Sequence, residues 1–157
     1  MALQAVSTAG MKVLYAQGSA ASVPSSSWTE LTGVKALPAL GDSVNTLQTT
    51  PLSATKNHTY ILGLADSGGA IQLTVNDAPA FRTSFASMLS KYQTAVSASS
   101  TFWIQYAYPS EYGMSSFYFP ADLVDLGFGG ADVDAVLENF VNLTPTADYQ
   151  FAAAHLT

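Results

Sequence analysis

The sequence predicts a mainly β domain, a small β-sandwich or half-open β-barrel with one flanking α-helix and a long extended loop. Three observations lead there. About eight short segments rich in β-branched and aromatic residues are separated by turns built from Gly, Pro and Ser. Only one stretch, the one after Pro79, repeats its large apolar side chains at helical spacing. Residues 37–57 are polar and interrupted by Pro38 and Pro51, a run of about 20 residues that is longer than a compact domain normally leaves without structure.

Taken in order, residues 12–16 form a first short strand, and the Ser-, Ala-, Gly- and Pro-rich residues 18–27 form a loop. Residues 28–35 read as a second strand whose apolar side chains are not confined to one face. Then comes the long loop. It carries Leu40, Asp42, Val44, Leu47, Leu52 and Lys56, and Val44, Leu47 and Leu52 are apolar residues with no evident core of their own. Residues 60–75 read as a hairpin: an apolar run from Tyr60 to Leu64, the turn Asp66-Ser67-Gly68-Gly69, and the period-two alternation of Ile71, Leu73 and Val75.

The helix follows. Asn76 or Asp77 can cap it, and Pro79 suits a first turn where a missing N–H leaves nothing unsatisfied. Phe81, Phe85, Met88 or Leu89, and Tyr92 then define one stripe, and Arg82, Ser84, Ser87 and Lys91 the opposite one. We expect Phe81, Phe85, Leu89 and Tyr92 to face the core. Residues 101–108 are apolar on both faces, so that strand is either central between two layers or exposed on an assembling surface. Residues 109–113 turn it and residues 114–119 return it. Residues 123–128, 133–144 and 148–154 complete the strands. Neither an internal repeat nor a linker divides the chain, and residues 1–157 read as one domain.

Only 10% of the residues are charged, against a usual share of about 25%. A surface with so few charges repels other copies weakly and tends to associate, which suits a subunit covered by copies of itself; a secreted, Ser/Thr-rich β-domain has the same composition. The net charge of −6, with five Lys plus Arg, argues against tight nucleic-acid binding through phosphate neutralisation. With no cysteine there is no disulfide framework and no thiolate metal site. No run approaches 18 apolar residues and the N-terminus is unlike a signal peptide, so neither a membrane partner nor secretion is expected, and two glycosylation-type triplets, at Asn57 and Asn142, carry little weight.

Catalytic and metal chemistry find little support. His58 and His155 lack partners at metal-ligand spacing. Ser53-Ala54-Thr55-Lys56 matches S-x-x-K, but in a loop and without a K-T-G strand. Gly41-Asp42-Ser43 lacks the Asp-x-x-His that its esterase counterpart needs. Asp122, Asp125, Asp132, Asp134 and Glu138 form the densest acidic group, with a single partial match to a calcium-binding β-roll turn, a motif that requires stacked copies. We therefore expect no enzyme activity, no metal and no cofactor.

The polar loop, the run Tyr60-Ile61 with Gly63-Leu64, Asp66, Gly68, Ile71 and Leu73, the single amphipathic helix, the aromatic strand pair and the late Thr144-Pro145-Thr146-Ala147 together resemble the major tail tube proteins of long-tailed, non-contractile bacteriophages. The resemblance covers about residues 12–152. It implies a structural virion protein, assembled in the host cytoplasm, that forms hexameric rings stacked into a hollow tail tube through which DNA passes. Its partners would be copies of itself and other tail proteins such as the tape measure, terminator and distal tail proteins, with DNA touched only transiently. The loop would reach neighbouring subunits. An acidic lumen would repel phosphates, and Glu30 and Asp66 are the candidates to line it. The alternative from another class is a monomeric β-sandwich binding module, a carbohydrate-binding or tail accessory domain, using Trp28, Trp103 or Tyr106 as a stacking platform.

Overall fold

The computed structural model describes residues 5–41, 43–66 and 69–152. In chain order its elements are β1 (Lys12–Gly18), β2 (Thr29–Leu31), β3 (Val34–Ala36), β4 (Ser43–Gln48), β5 (Tyr60–Asp66), β6 (Ile71–Asn76), α1 (Pro79–Ser97), β7 (Thr101–Ala107), β8 (Ser116–Phe128), β9 (Glu138–Pro145) and β10 (Gln150–Ala152). Among the described residues the fold is mainly β, with one large antiparallel sheet, a separate two-stranded one, one α-helix and no closed barrel.

The large sheet runs β2-β1-β7-β8-β9-β6-β3, and β10 pairs with the start of β8. β8 holds the two halves together. Its residues 117–120 pair with β7 and its residues 121–128 pair with β9. The register shifts between Leu123 and Asp125, where Val124 is the extra residue, and such a bulge bends and twists the strand that contains it. The bend brings the inner faces of both halves onto one core: Val13, Tyr15, Ile104 and Phe119 from one side meet Leu73, Val75, Val141 and Leu143 from the other. Helix α1 closes this core with Phe81, Met88 and Ala95.

The half made of β1, β7 and β8 is buried on its other face too. Leu14, Ala16, Trp103, Ala107 and Tyr118 lie there beneath Trp28. The loop of residues 19–28 is fixed over them by two indole bonds: Trp103 Nε1–H donates to the Ser19 carbonyl at 3.0 Å, and Trp28 Nε1–H donates to the Pro24 carbonyl at 3.0 Å. The strand that is apolar on both faces is therefore central.

Several sequence expectations need correction. Residues 28–35 are not one strand. Gly33, at φ +84°, turns the chain beside Phe81, in the left-handed region that glycine enters without strain. The turn sends β2 and β3 to opposite ends of the sheet. The expected hairpin of residues 60–75 does not form, because β5 pairs with β4 while β6 lies between β9 and β3. Ser116–Phe128 make one long strand where the sequence predicts two, over residues 114–119 and 123–128, and the strand expected over residues 133–144 begins only at Glu138. At the head of α1 the N-cap is Ala78, with no side-chain cap; Asp77 instead accepts from Arg82 and from Asn139 Nδ2–H. On the helix, Met88 is fully buried and Leu89 is 37% exposed, so Leu89 does not belong to the core face. Phe85 and Tyr92 are half-buried against the core.

Candidate assembly surface

The segment expected to be a structureless loop is half of a two-stranded ribbon. β4 and β5 pair antiparallel from Ser43↔Asp66 to Gln48↔Tyr60. Between Val44↔Ala65 and Thr46↔Leu62 the ladder shifts, with Gly63 and Leu64 facing Asn45 alone. A side chain at Gly63 would meet the Asn45 carbonyl oxygen at 3.0 Å, so glycine suits this bulge. Among the described residues, no element of the body packs substantially on either strand. The ribbon is an arm.

Its side chains are unusual for an isolated ribbon. Val44, Leu47, Tyr60, Ile61, Leu62 and Leu64 are all exposed, Leu62 at 75% and Leu64 at 90%. Tyr60, Ile61 and Leu62 are consecutive, and successive strand residues point to opposite faces, so both faces of the arm are apolar. A two-stranded ribbon alone is marginal in water, and one with this much exposed apolar surface marks an interaction site.

Polar bonds organise the arm's end. The Thr49 N–H donates to the Thr59 carbonyl at 2.8 Å, the Thr59 N–H donates to Thr50 Oγ1 at 2.9 Å, and Gln48 Nε2 lies 2.9 Å from His58 Nδ1. The Ala54 N–H closes a turn on the Pro51 carbonyl at 3.0 Å, and Leu52 within that turn is fully exposed. Lys56 lies exposed in the same tip, so the S-x-x-K match sits on a solvated turn rather than at a helix start. Leu40 does not travel with the arm; it packs half-buried against the main core, as does Leu37. Asp42 and His155 lie outside the described residues.

The remaining candidates are scattered. Glu30 on β2 pairs with Lys12 at 3.4 Å, while Asp66 ends β5 on the arm, where its carbonyl accepts from Ser43 Oγ. The structure does not bring these two carboxylates together. In the acidic group, Asp125 accepts from Asn142 and Glu138 pairs with Lys35. Asp122 sits against Tyr92, whose phenol is pushed up by burial and by that carboxylate. Asp77, nearly enclosed, is held below the usual carboxylate range, first by its hydrogen bond from Arg82.

The alternative binding module loses its platform. Trp28, Trp103 and Tyr106 are 2%, 0% and 4% exposed, so none offers a ring face to a sugar. Burial also drives the Tyr106 phenol strongly upward. Beyond the arm, a second apolar region lies on β8, whose edge on the β7 side has no strand partner at residues 121–128 among the described residues; Val124 and Phe128 are exposed there at 57% and 70%. Sequence reasoning missed this edge because the two halves of β8 were read as separate strands.

No protein-family model and no curated protein matches the chain. Solved structures do. A chain of the six-fold symmetrised baseplate of the anti-feeding prophage superposes with a TM-score of 0.64 at 14% identity, covering 99% of this chain and 100% of that one. A chain from the sheath/tube terminator of an extracellular contractile injection system gives 0.61 at 11% identity over 97% and 100%. A chain from the tail of an empty gene transfer agent particle, refined with C6 symmetry, gives 0.58 at 11% identity over 95% and 100%. The protein therefore has a tail-tube-like fold, shared over nearly its full length with chains of phage-like tail and baseplate assemblies.

Proposed function

We propose that this chain is a structural subunit of a tail tube, polymerising through its arm into rings, six to a ring, that stack around a channel for DNA. One observation carries the reading: the β4–β5 arm exposes apolar side chains on both faces and, among the described residues, no element of its own body packs substantially on it. Burial against neighbouring copies supplies what the isolated chain lacks. The fold likeness supports the same reading, since two of the similar chains come from particles with six-fold or C6 symmetry. The open edge of β8 gives ring closure a second contact, because an unpaired strand edge is completed by a strand from another copy.

In this reading the subunit is a virion component and not an enzyme. Its partners are itself and the other tail proteins that begin, measure and end the tube, and the tube belongs to a non-contractile tail assembled in the host cytoplasm. DNA passes without specific binding along a wall where acidic side chains outnumber basic ones, with Glu30 and Asp66 as the candidates to line it. An acidic wall keeps a polyanion off its surface.

The test is to replace residues 43–66 by a short Gly-Ser linker and compare sedimentation and negative-stain images with the intact protein. We expect tubes or rings from the intact chain and a folded monomer from the armless one. Normal tubes without the arm would refute the proposal.

A further inference from the structure

We propose that the arm tip is a plug, and that Leu52 of one copy seats in the apolar cavity at the base of the arm on a second copy. This rests on the reading of the arm as the inter-subunit element and names where it docks.

The socket is a cavity of about 470 Å³ where the open end of the sheet, at β3, approaches the start of β1. Met11, Val34, Leu37 and Leu40 give it apolar walls, and Thr8, Tyr106 and Tyr108 line it too. Lys35 stands among them, but its ammonium is engaged by Glu138. The apolar walls thus offer a leucine side chain a place to be buried.

The plug is already built. Leu52 projects from the Pro51–Ala54 turn, and the Thr49, Thr50, Gln48, His58 and Thr59 bonds hold that turn at the end of the ribbon. Little chain entropy remains to be lost on docking, which is what favours a preorganised contact. The other large exposed hydrophobic residues of the arm lie along the two strands, and Leu52 alone among them occupies the end turn.

The occupant comes from another copy because the arm cannot reach its own socket. Leu40, a wall of the socket, lies just ahead of β4. A paired ribbon of about six residues per strand, at ~3.3 Å each, holds the tip roughly 20 Å from its base. Tip-to-base docking joins two different patches of the same chain. Such a head-to-tail contact repeats, and it closes into a ring or continues as a filament according to the rotation it imposes.

The absence of native cysteine makes the test direct. Leu52→Cys and Ala36→Cys are prepared separately, mixed under assembly conditions and treated with a short bismaleimide; Leu52→Cys with Ser87→Cys, on the outer face of α1, is the control pair. We expect cross-linked dimers from the first mixture and few from the second. Leu52→Asp should raise the concentration needed for assembly by about tenfold or more, as burial of a leucine is replaced by burial of a charge. Its melting temperature should match that of the parent. Equal cross-linking in both mixtures, or unchanged assembly of Leu52→Asp, overturns the proposal. If Leu52→Asp assembles normally and the armless chain does not, the socket fails and the arm's role stands; if both assemble normally, both fail.

Discussion

Body and arm use the same kinds of residue to opposite ends. In the body, Leu73, Ile104, Phe119 and Leu143 are fully buried, and even the indole of Trp103 is satisfied inside the fold. In the arm, Leu62 and Leu64 stand almost free. Hydrophobic burial is the main favourable term in folding, so the body's share of that energy is realised within one chain and the arm's is not; in the assembly we propose, a second copy supplies it. Mutations in the two regions should therefore separate stability from assembly.

The largest expected effect is in the body. Phe81→Ala or Trp103→Ala removes a fully buried ring and should cost about 3–5 kcal/mol in a denaturant titration of the monomer. Leu64→Ala should change monomer stability by less than about 0.5 kcal/mol while weakening assembly. Equal losses in the two titrations would erase the distinction between body and arm. Phe85→Ala, half-buried, should fall below Phe81→Ala.

Helix α1 sharpens the comparison within a single element. Met88→Ala should cost about 2–5 kcal/mol, as large-to-small changes in a core do, and Leu89→Ala, one residue on, should be nearly neutral. A reversed order would show the helix rotated from its described face.

Within the arm, Gly63→Val crowds the Asn45 carbonyl. Amide exchange of β4 and β5 should accelerate severalfold, with the body's slow amides unchanged. Accelerated exchange across the whole protein would mean that the arm is no separate unit.

The smallest effect is electrostatic. Arg82 holds the Asp77 carboxyl below its ordinary range, so the folded-state pKa is depressed relative to an unfolded value of about 3.9. The stabilisation is complete above the unfolded pKa and is lost as pH falls through the folded one. Thermal melts of Asp77→Asn should lie below the parent at neutral pH and converge with it under acid. A constant gap down to the lowest pH would remove Asp77 from the acid response. Arg82 is more than half exposed, so solvent screens the pair and keeps the effect modest.

Legibility followed burial. The helix could be read because one side of Pro79–Ser97 packs on a core and imposes a three-to-four spacing on Phe81, Phe85, Met88 and Tyr92. β7 could be read as a strand apolar on both faces because it is enclosed on both. β4 could not. All of Ser43–Gln48 is exposed, so no buried face imposes alternation on Val44 and Leu47, and the strand looks like loop. The register rules that identify strands act only where one face is covered.

The chain by itself determined its class, its one α-helix, a strand apolar on both faces and its low share of charged residues, since composition and local periodicity carry these directly. Tertiary structure decided which strands pair. Tyr60–Asp66 and Ile71–Asn76 are neighbours in sequence with a convincing turn between them, yet one joins β4 in the arm and the other fills the sheet between β9 and β3. The physical reason is visible in their side chains: Ile71, Leu73 and Val75 alternate and are buried on one face, whereas Tyr60, Ile61 and Leu62 run on without alternation and find no place in that layer. Pairing depends on how distant segments share one core, and that is a property of the assembled fold rather than of any local stretch of residues.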